Sequence, residues 1–203
     1  MIDWKSVSSQ VLLLDQEQSL AFANAVAARY RDVIRYFATE STTVVADVIY
    51  TTLASVKASV VPNVEKSISD LLACPELDED DSHKPTYYAM RGLGILMATL
   101  RCTDELHATA RWAEEAAGLA ANLASDLDWF QEQFTKKTGQ SMAKTIEAAE
   151  FEAQMSVIGI TRNDNTESRY AQIEVVNNGA SKLIRSGIRS VCDYYKWPCA
   201  GLV

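Results

Sequence analysis

Apolar side chains recur at three- and four-residue steps along almost the whole chain, a spacing that belongs to the α-helix. Phe22, Val26, Tyr30, Val33 and Phe37 fall on one helical face, and Ile173, Val176, Ala180, Leu183, Gly187 and Val191 fall on another. Eight glycines and four prolines in 203 residues supply too few turn formers for a sandwich or barrel of short strands. The pattern predicts an all-α fold, a single-domain bundle of about seven to nine helices over residues 1–203.

Helix boundaries are partly readable. Asp15 with Gln18 three residues on forms a capping arrangement before the first long helix, and a short helix over about Trp4–Leu14 precedes it. Ser41-Thr42-Thr43 offers a cap for a second long helix with Val45, Ile49, Thr52, Val56 and Val60 inward. Its many β-branched residues leave a strand as the rival reading. Pro62 suits the first turn of the next helix, which carries Val64, Ile68 and Leu71. Tyr87 to Leu100 is almost uninterrupted apolar sequence, so a central helix is expected there, with Gly92 and Gly94 admitting a close neighbour. Thr103-Asp104-Glu105 is expected to cap a further helix, whose inward face is the small-residue series Ala110, Ala113, Ala117, Ala120 and Ala124. A turn at Gly139-Gln140-Ser141 precedes a helix through Met142, Ile146, Ala149 and Ala153, and Asn163-Asp164-Asn165 breaks it before the last helix, which Pro198 ends.

Residues 74–84 interrupt the helices. Pro75 disfavours helix before it, and Glu76, Asp78, Glu79, Asp80 and Asp81 repel one another, which predicts a solvent-exposed acidic loop closed by Pro85. The chain carries 27 acidic against 19 basic side chains, a formal charge of −8. Those five carboxylates equal the whole acidic surplus of residues 1–100. The balance excludes a generic nucleic-acid binder, which needs clustered Lys and Arg against phosphate. It leaves basic protein partners open.

No catalytic motif is legible. There is no phosphate-binding glycine loop and no nucleophile elbow, and Gly92-x-Gly94 lies inside a helix rather than after a strand. His83 with Asp78, Asp80 and Asp81 lacks the spacing of a calcium loop, so a hydrated loop is the preferred reading over a metal site. His107 reads as a helical surface histidine, since paired Glu-x-x-His motifs are missing. Glu147, Glu150 and Glu152 read as a solvated helix face flanked by alanines. Lys182, Arg185 and Arg189 form a basic stripe suited to the last helix's C-terminal half. Cys74, Cys102, Cys192 and Cys199 stand far apart and predict buried free thiols, with a Cys192–Cys199 bridge as the alternative. The N-terminus lacks a secretory pattern and no apolar run is long enough to span a bilayer, so a cytoplasmic protein with no membrane partner is expected. No cofactor is expected.

Leu20-Ala21-Phe22-Ala23, then Ala28-Arg29-Tyr30 and Phe37, resembles the opening helix of the bacterial family known as domain-of-unknown-function 416. Cys74-Pro75, the acidic break and Tyr87-Tyr88-Ala89 resemble its middle region, although Met90-Arg91-Gly92 stands where the family has an Asp-Ala-Cys-like run. The resemblance implies an all-helical cytosolic fold and no particular chemistry.

Three expectations about function follow. The first is a non-catalytic binding protein, concretely an immunity or inhibitor protein that neutralises a basic bacterial toxin domain. Its contacts would be Glu76, Asp78, Glu79, Asp80 and Asp81, with the aromatic run Tyr194, Tyr195 and Trp197 as a binding hot spot or as packing of the tail on the core. The second is an enzyme whose site forms by convergence around Glu150, Asp128 or His107. The third is a structural homodimer, rather than a monomer, that buries the alanine face or the C-terminal aromatics.

Overall fold

A computed structural model describes residues 2–56, 63–139, 144–163 and 166–198. Among these there are eight α-helices and no strand: α1 (Trp4–Val11), α2 (Gln16–Phe37), α3 (Glu40–Val56), α4 (Val64–Leu72), α5 (Pro85–Asp104), α6 (Thr109–Thr138), α7 (Ile146–Thr161) and α8 (Thr166–Tyr195), with short 3₁₀ segments at Pro75–Asp78 and Leu106–Ala108. The all-α bundle expected from the periodicity is therefore present, and the strand alternative for α3 is set aside.

Local chemistry explains the starts of α1, α2 and α7. Asp15 accepts from the Gln18 amide at 2.8 Å while the Gln18 side chain accepts from the Asp15 amide at 3.1 Å, so the predicted capping arrangement is a reciprocal box. Asp3 and Thr145 cap α1 and α7 in the same N-cap manner. Other boundaries differ from expectation. Thr103 and Asp104 lie inside α5, where the Thr103 hydroxyl donates back to the Leu100 carbonyl at 2.7 Å. Asp104 and Glu105 serve Arg101 on the preceding turn, and α6 starts at Thr109 with no side-chain cap. The helix expected from Met142 begins at Ile146, while Pro62, Val60, Met142 and the Asp164-Asn165 break lie outside the described residues.

The core runs through α2, α5, α6, α7 and α8, with α1 laid against α6 and α7 and with α3 and α4 at the flank. The alanines at 113, 117, 120 and 124 are buried within the chain, where small side chains let helices approach closely. Those four are engaged within one chain, while Ala110 of the same series is half-buried. Gly92 and Gly187 mark the tightest approaches. A Cβ on Gly92 would lie 2.8 Å from Ile34 Cγ1, and one on Gly187 would lie 2.9 Å from Leu127 Cβ and 2.6 Å from Ile146 Cδ1. Helices α2 and α8 run parallel, as the Glu17–Arg169 and Asp32–Arg185 pairs show. Helix α5 runs against both α2 (Thr99 at Ala23, Tyr88 at Phe37) and α6 (Gly94 at Leu119, Tyr88 at Phe130), so α2, α6 and α8 all point the same way. Their C-terminal ends and the start of antiparallel α5 therefore share one end of the bundle. That end holds the aromatic residues discussed below.

Among the described residues no helix is long and apolar enough to cross a membrane. Cys74 and Cys102 are buried free thiols, and burial pushes the Cys102 thiol up to about 12. Cys192 is buried as well, and Cys199, its alternative partner, lies outside the described residues.

Candidate functional site

The structure divides the acidic run into two kinds of residue. Pro75 opens a 3₁₀ turn that swings Glu76 inward, leaving it 2% exposed. Its carboxylate accepts from the Thr39 amide at 2.7 Å and from the Thr42 hydroxyl at 2.6 Å. Burial works to raise its pKa, but the bonds from Thr42 and Thr39 outweigh that and hold the carboxyl below its usual range. Glu76 is therefore a tie between the loop and the start of α3, and its expected role as a partner contact is corrected. Helix α3 begins at Glu40, ahead of the Ser41-Thr42-Thr43 cap that local sequence suggests, with the Thr39 carbonyl accepting from the Thr43 amide at 2.9 Å.

Leu77 also packs against the core, and beyond it the loop runs at the surface. Glu79 is occupied by the Thr86 hydroxyl, the Asp81 amide and Lys84 Nζ, which hold its carboxyl low. Asp81 accepts from the His83 amide at 3.0 Å and meets its ring at 3.2 Å. These local bonds fix the loop's shape. Asp78 and Asp80 stand exposed on it.

His83 packs edge-on against Tyr195, ring centroids 5.9 Å apart, so the loop touches the C-terminal aromatics. Tyr195 stacks on Trp197 at 4.5 Å, and Trp197 reaches Phe37 and Tyr88. Those two contacts show Tyr195 and Trp197 packing the tail onto the core. Tyr194 behaves differently. It is 51% exposed and lies against Trp129, itself 48% exposed, at 5.5 Å. The two groups named from sequence thus meet at one end of the bundle. An open cavity of about 200 Å³ lies there, lined by Tyr87, Tyr88, Asp126, Trp129, Phe130 and Tyr195, with Ser82 of the loop at its edge. Burial pushes the Asp126 carboxyl up, while its ion pair with Arg91 at 3.3 Å pulls the other way.

A second concentration of charge lies at the bundle centre. Arg29 and Glu150 form a two-pronged pair, Nε to Oε2 at 3.0 Å and Nη2 to Oε1 at 2.6 Å. Both are essentially without solvent contact. Arg29 Nη1 donates to the Ala25 carbonyl and to Asn177 Oδ1, and Gln154 donates to Glu150 and to the Ala117 carbonyl. Four helices, α2, α6, α7 and α8, are joined there. The expected solvated face of Glu147, Glu150 and Glu152 is corrected accordingly: Glu147 accepts from the Trp4 indole at 3.0 Å, Glu150 is sealed under Arg29, and only Glu152 stays at the surface with Lys144.

Glu150, Asp128 and His107, named for a converged site, have separate surroundings. His107 is exposed on its 3₁₀ segment, Asp128 accepts from the Ile146 amide, and no hydrogen bond or ion pair among the described residues joins either to Glu150. No group of three or more His, Cys, Asp or Glu side chains among the described residues is placed to hold a metal ion. In the basic stripe, Arg185 is taken by Asp32 at 2.9 Å. Sequence reasoning passed over Trp129, Asp126 and Arg91, which sit near the aromatic end with no motif to mark them. No family model, curated protein or solved structure matches this chain.

Proposed function

We propose that this chain is a non-catalytic binding protein that captures a basic protein, most concretely as an immunity protein neutralising a bacterial toxin domain in the cytoplasm. One observation carries the reading: exposed carboxylates on the 78–84 loop and exposed aromatic rings from α6 and α8 converge on the same end of the bundle. Aromatic side chains supply the desolvated anchors of interfaces, and like-signed charge around them steers an oppositely charged partner. The chain's charge of −8 adds a long-range attraction of the same sense. Kinship with the domain-of-unknown-function 416 family is kept as part of this proposal and contributes no chemistry to it.

The test is affinity capture from the native lysate at low and high salt, with the double variant Asp78→Asn, Asp80→Asn and the single variant Tyr194→Ala beside the unaltered chain. Supporting the reading would be a basic partner whose retention falls with salt and is weakened by either variant. A partner retained equally by all three proteins, or one of acidic character, overturns it.

A further inference from the structure

We propose that the cavity at the aromatic end is a receptor for one cationic side chain, an arginine or lysine of the basic partner, with Trp129 and Asp126 as its recognition residues. The inference rests on the functional reading above and names what that surface grips. Five aromatic rings and one carboxylate line about 200 Å³, a volume suited to a single guanidinium or ammonium group rather than a drug-sized molecule. Neighbouring rings stand nearly perpendicular, Tyr87 to Tyr88 at 86° and Trp129 to Phe130 at 89°, so they form walls of different orientation rather than one flat stack. A ring face carries negative charge density, and a cation over it within about 6 Å is attracted, most strongly by Trp.

The chain shows that chemistry within its own fold. The Arg91 guanidinium lies 5.7 Å above the Tyr87 ring, donates to the Tyr87 hydroxyl at 3.0 Å and pairs with Asp126. Asp126 is nevertheless 42% exposed, so solvent, and hence a second cation, can reach its carboxylate. Of the neighbouring loop only Ser82 edges the cavity, with the exposed Asp80 two residues and Asp78 four residues before it in the chain. An incoming arginine would find a ring face for its planar group and, for one N–H, the exposed side of the Asp126 carboxylate, whose Oδ2 already pairs with Arg91.

The experiment is titration of the whole protein with Nα-acetyl-arginine methylamide at low salt, followed by calorimetry. The citrulline analogue, of equal shape without the charge, serves as the comparison. Saturable binding is expected for the arginine compound, with the citrulline compound about tenfold weaker or worse. Trp129→Leu and Asp126→Asn should each weaken arginine binding about fivefold or more, and Trp129→Phe, which restores a ring, should recover most of it. Both side chains are close to half exposed, so these variants are expected to keep the fold, which a melting curve verifies. Absence of saturable binding, equal binding of the citrulline analogue, or unchanged affinity in both Trp129→Leu and Asp126→Asn overturns the receptor. A titration that succeeds while no basic partner is captured defeats only the immunity reading. A captured partner indifferent to Trp129→Leu and Asp126→Asn defeats only the receptor.

Discussion

At the centre of the bundle Arg29 and Glu150 face each other without water, whereas at the aromatic end Asp78 and Asp80 stand in it, and the two regions use charge in opposite ways. The central pair has given up hydration on both sides. Such a pair holds only when its bonds are largely made, and here the fork, the Ala25 carbonyl, Asn177 and Gln154 make them, with the buried Gln154 Oε1 left without a partner among the described residues. Its charges are spent within the fold and are closed to any ligand. The carboxylates of the loop have kept their water, contribute little to stability, and leave their field available to a partner. The same residue type therefore serves architecture in one place and, in the proposed function, recognition in the other, and burial against a counter-ion is what separates them.

The most direct way to break that contrast is Glu150→Gln, which leaves Arg29 charged, buried and without its counter-ion. Loss of about 3–5 kcal/mol is expected. At roughly 2–4 °C per kcal/mol for a chain of this size, the melting temperature should drop by about 10 °C. The pair Arg29→Met, Glu150→Leu, which removes both charges, should recover much of the loss. A cost below about 1 kcal/mol for the single variant in urea denaturation would show that the centre is wetter than its burial suggests.

The seating of the central helices offers a smaller test. Gly187→Ala should cost about 1–3 kcal/mol, because the new Cβ would press on Leu127 Cβ, which cannot swing aside, and on Ile146 at the start of α7. Gly179→Ala, on the same helix with nothing within 4 Å, should instead stabilise by about 0.5–1 kcal/mol through helix propensity alone. Equal effects at the two positions, read from paired melting curves, would mean that the close approach does not constrain the core.

Glu76 sharpens the comparison because it lies in the loop yet belongs with the central pair by chemistry. Glu76→Gln should destabilise by about 1–3 kcal/mol, since it weakens the charge-assisted bonds to Thr39 and Thr42. The pH dependence has a fixed sign. With a folded pKa below the ordinary 4.5, Glu76 contributes its full stabilisation above about pH 4.5 and loses it as pH falls through the lower folded value. Stability measured down that range should fall less steeply in Glu76→Gln than in the unaltered chain.

Legibility in the sequence follows the range of the interactions. The Asp15–Gln18 box, the inward alanines of α6 and the tight approach at Gly92 were readable because each rests on residues a few positions apart or on a repeating period. Glu76 and Glu150 were misread for the complementary reason. Their partners, Thr39 and Arg29, stand 37 and 121 positions away, so nothing local distinguishes them from solvated neighbours. Trp129 and Asp126 were missed because they acquire meaning only when the ends of α6 and α8 meet the start of α5. Tyr194 and the loop were named from composition, and their meeting at one end follows from helix direction, which no short window reveals.

The smallest expected effect on stability is also the one that most directly separates the two regions. Asp78→Asn with Asp80→Asn should change unfolding free energy by no more than about 0.5 kcal/mol, since both are exposed and make no bond that the fold needs. If their field steers a basic partner, the same substitutions should slow association several-fold at low salt, while dissociation stays nearly constant. Raising the ionic strength should erase the difference, because beyond about 10 Å at 0.1 M salt such charges are screened. Stopped-flow association at two salt concentrations measures both. A loss confined to the dissociation rate would instead place these carboxylates inside the interface, buried by the partner as Glu150 is buried by the fold.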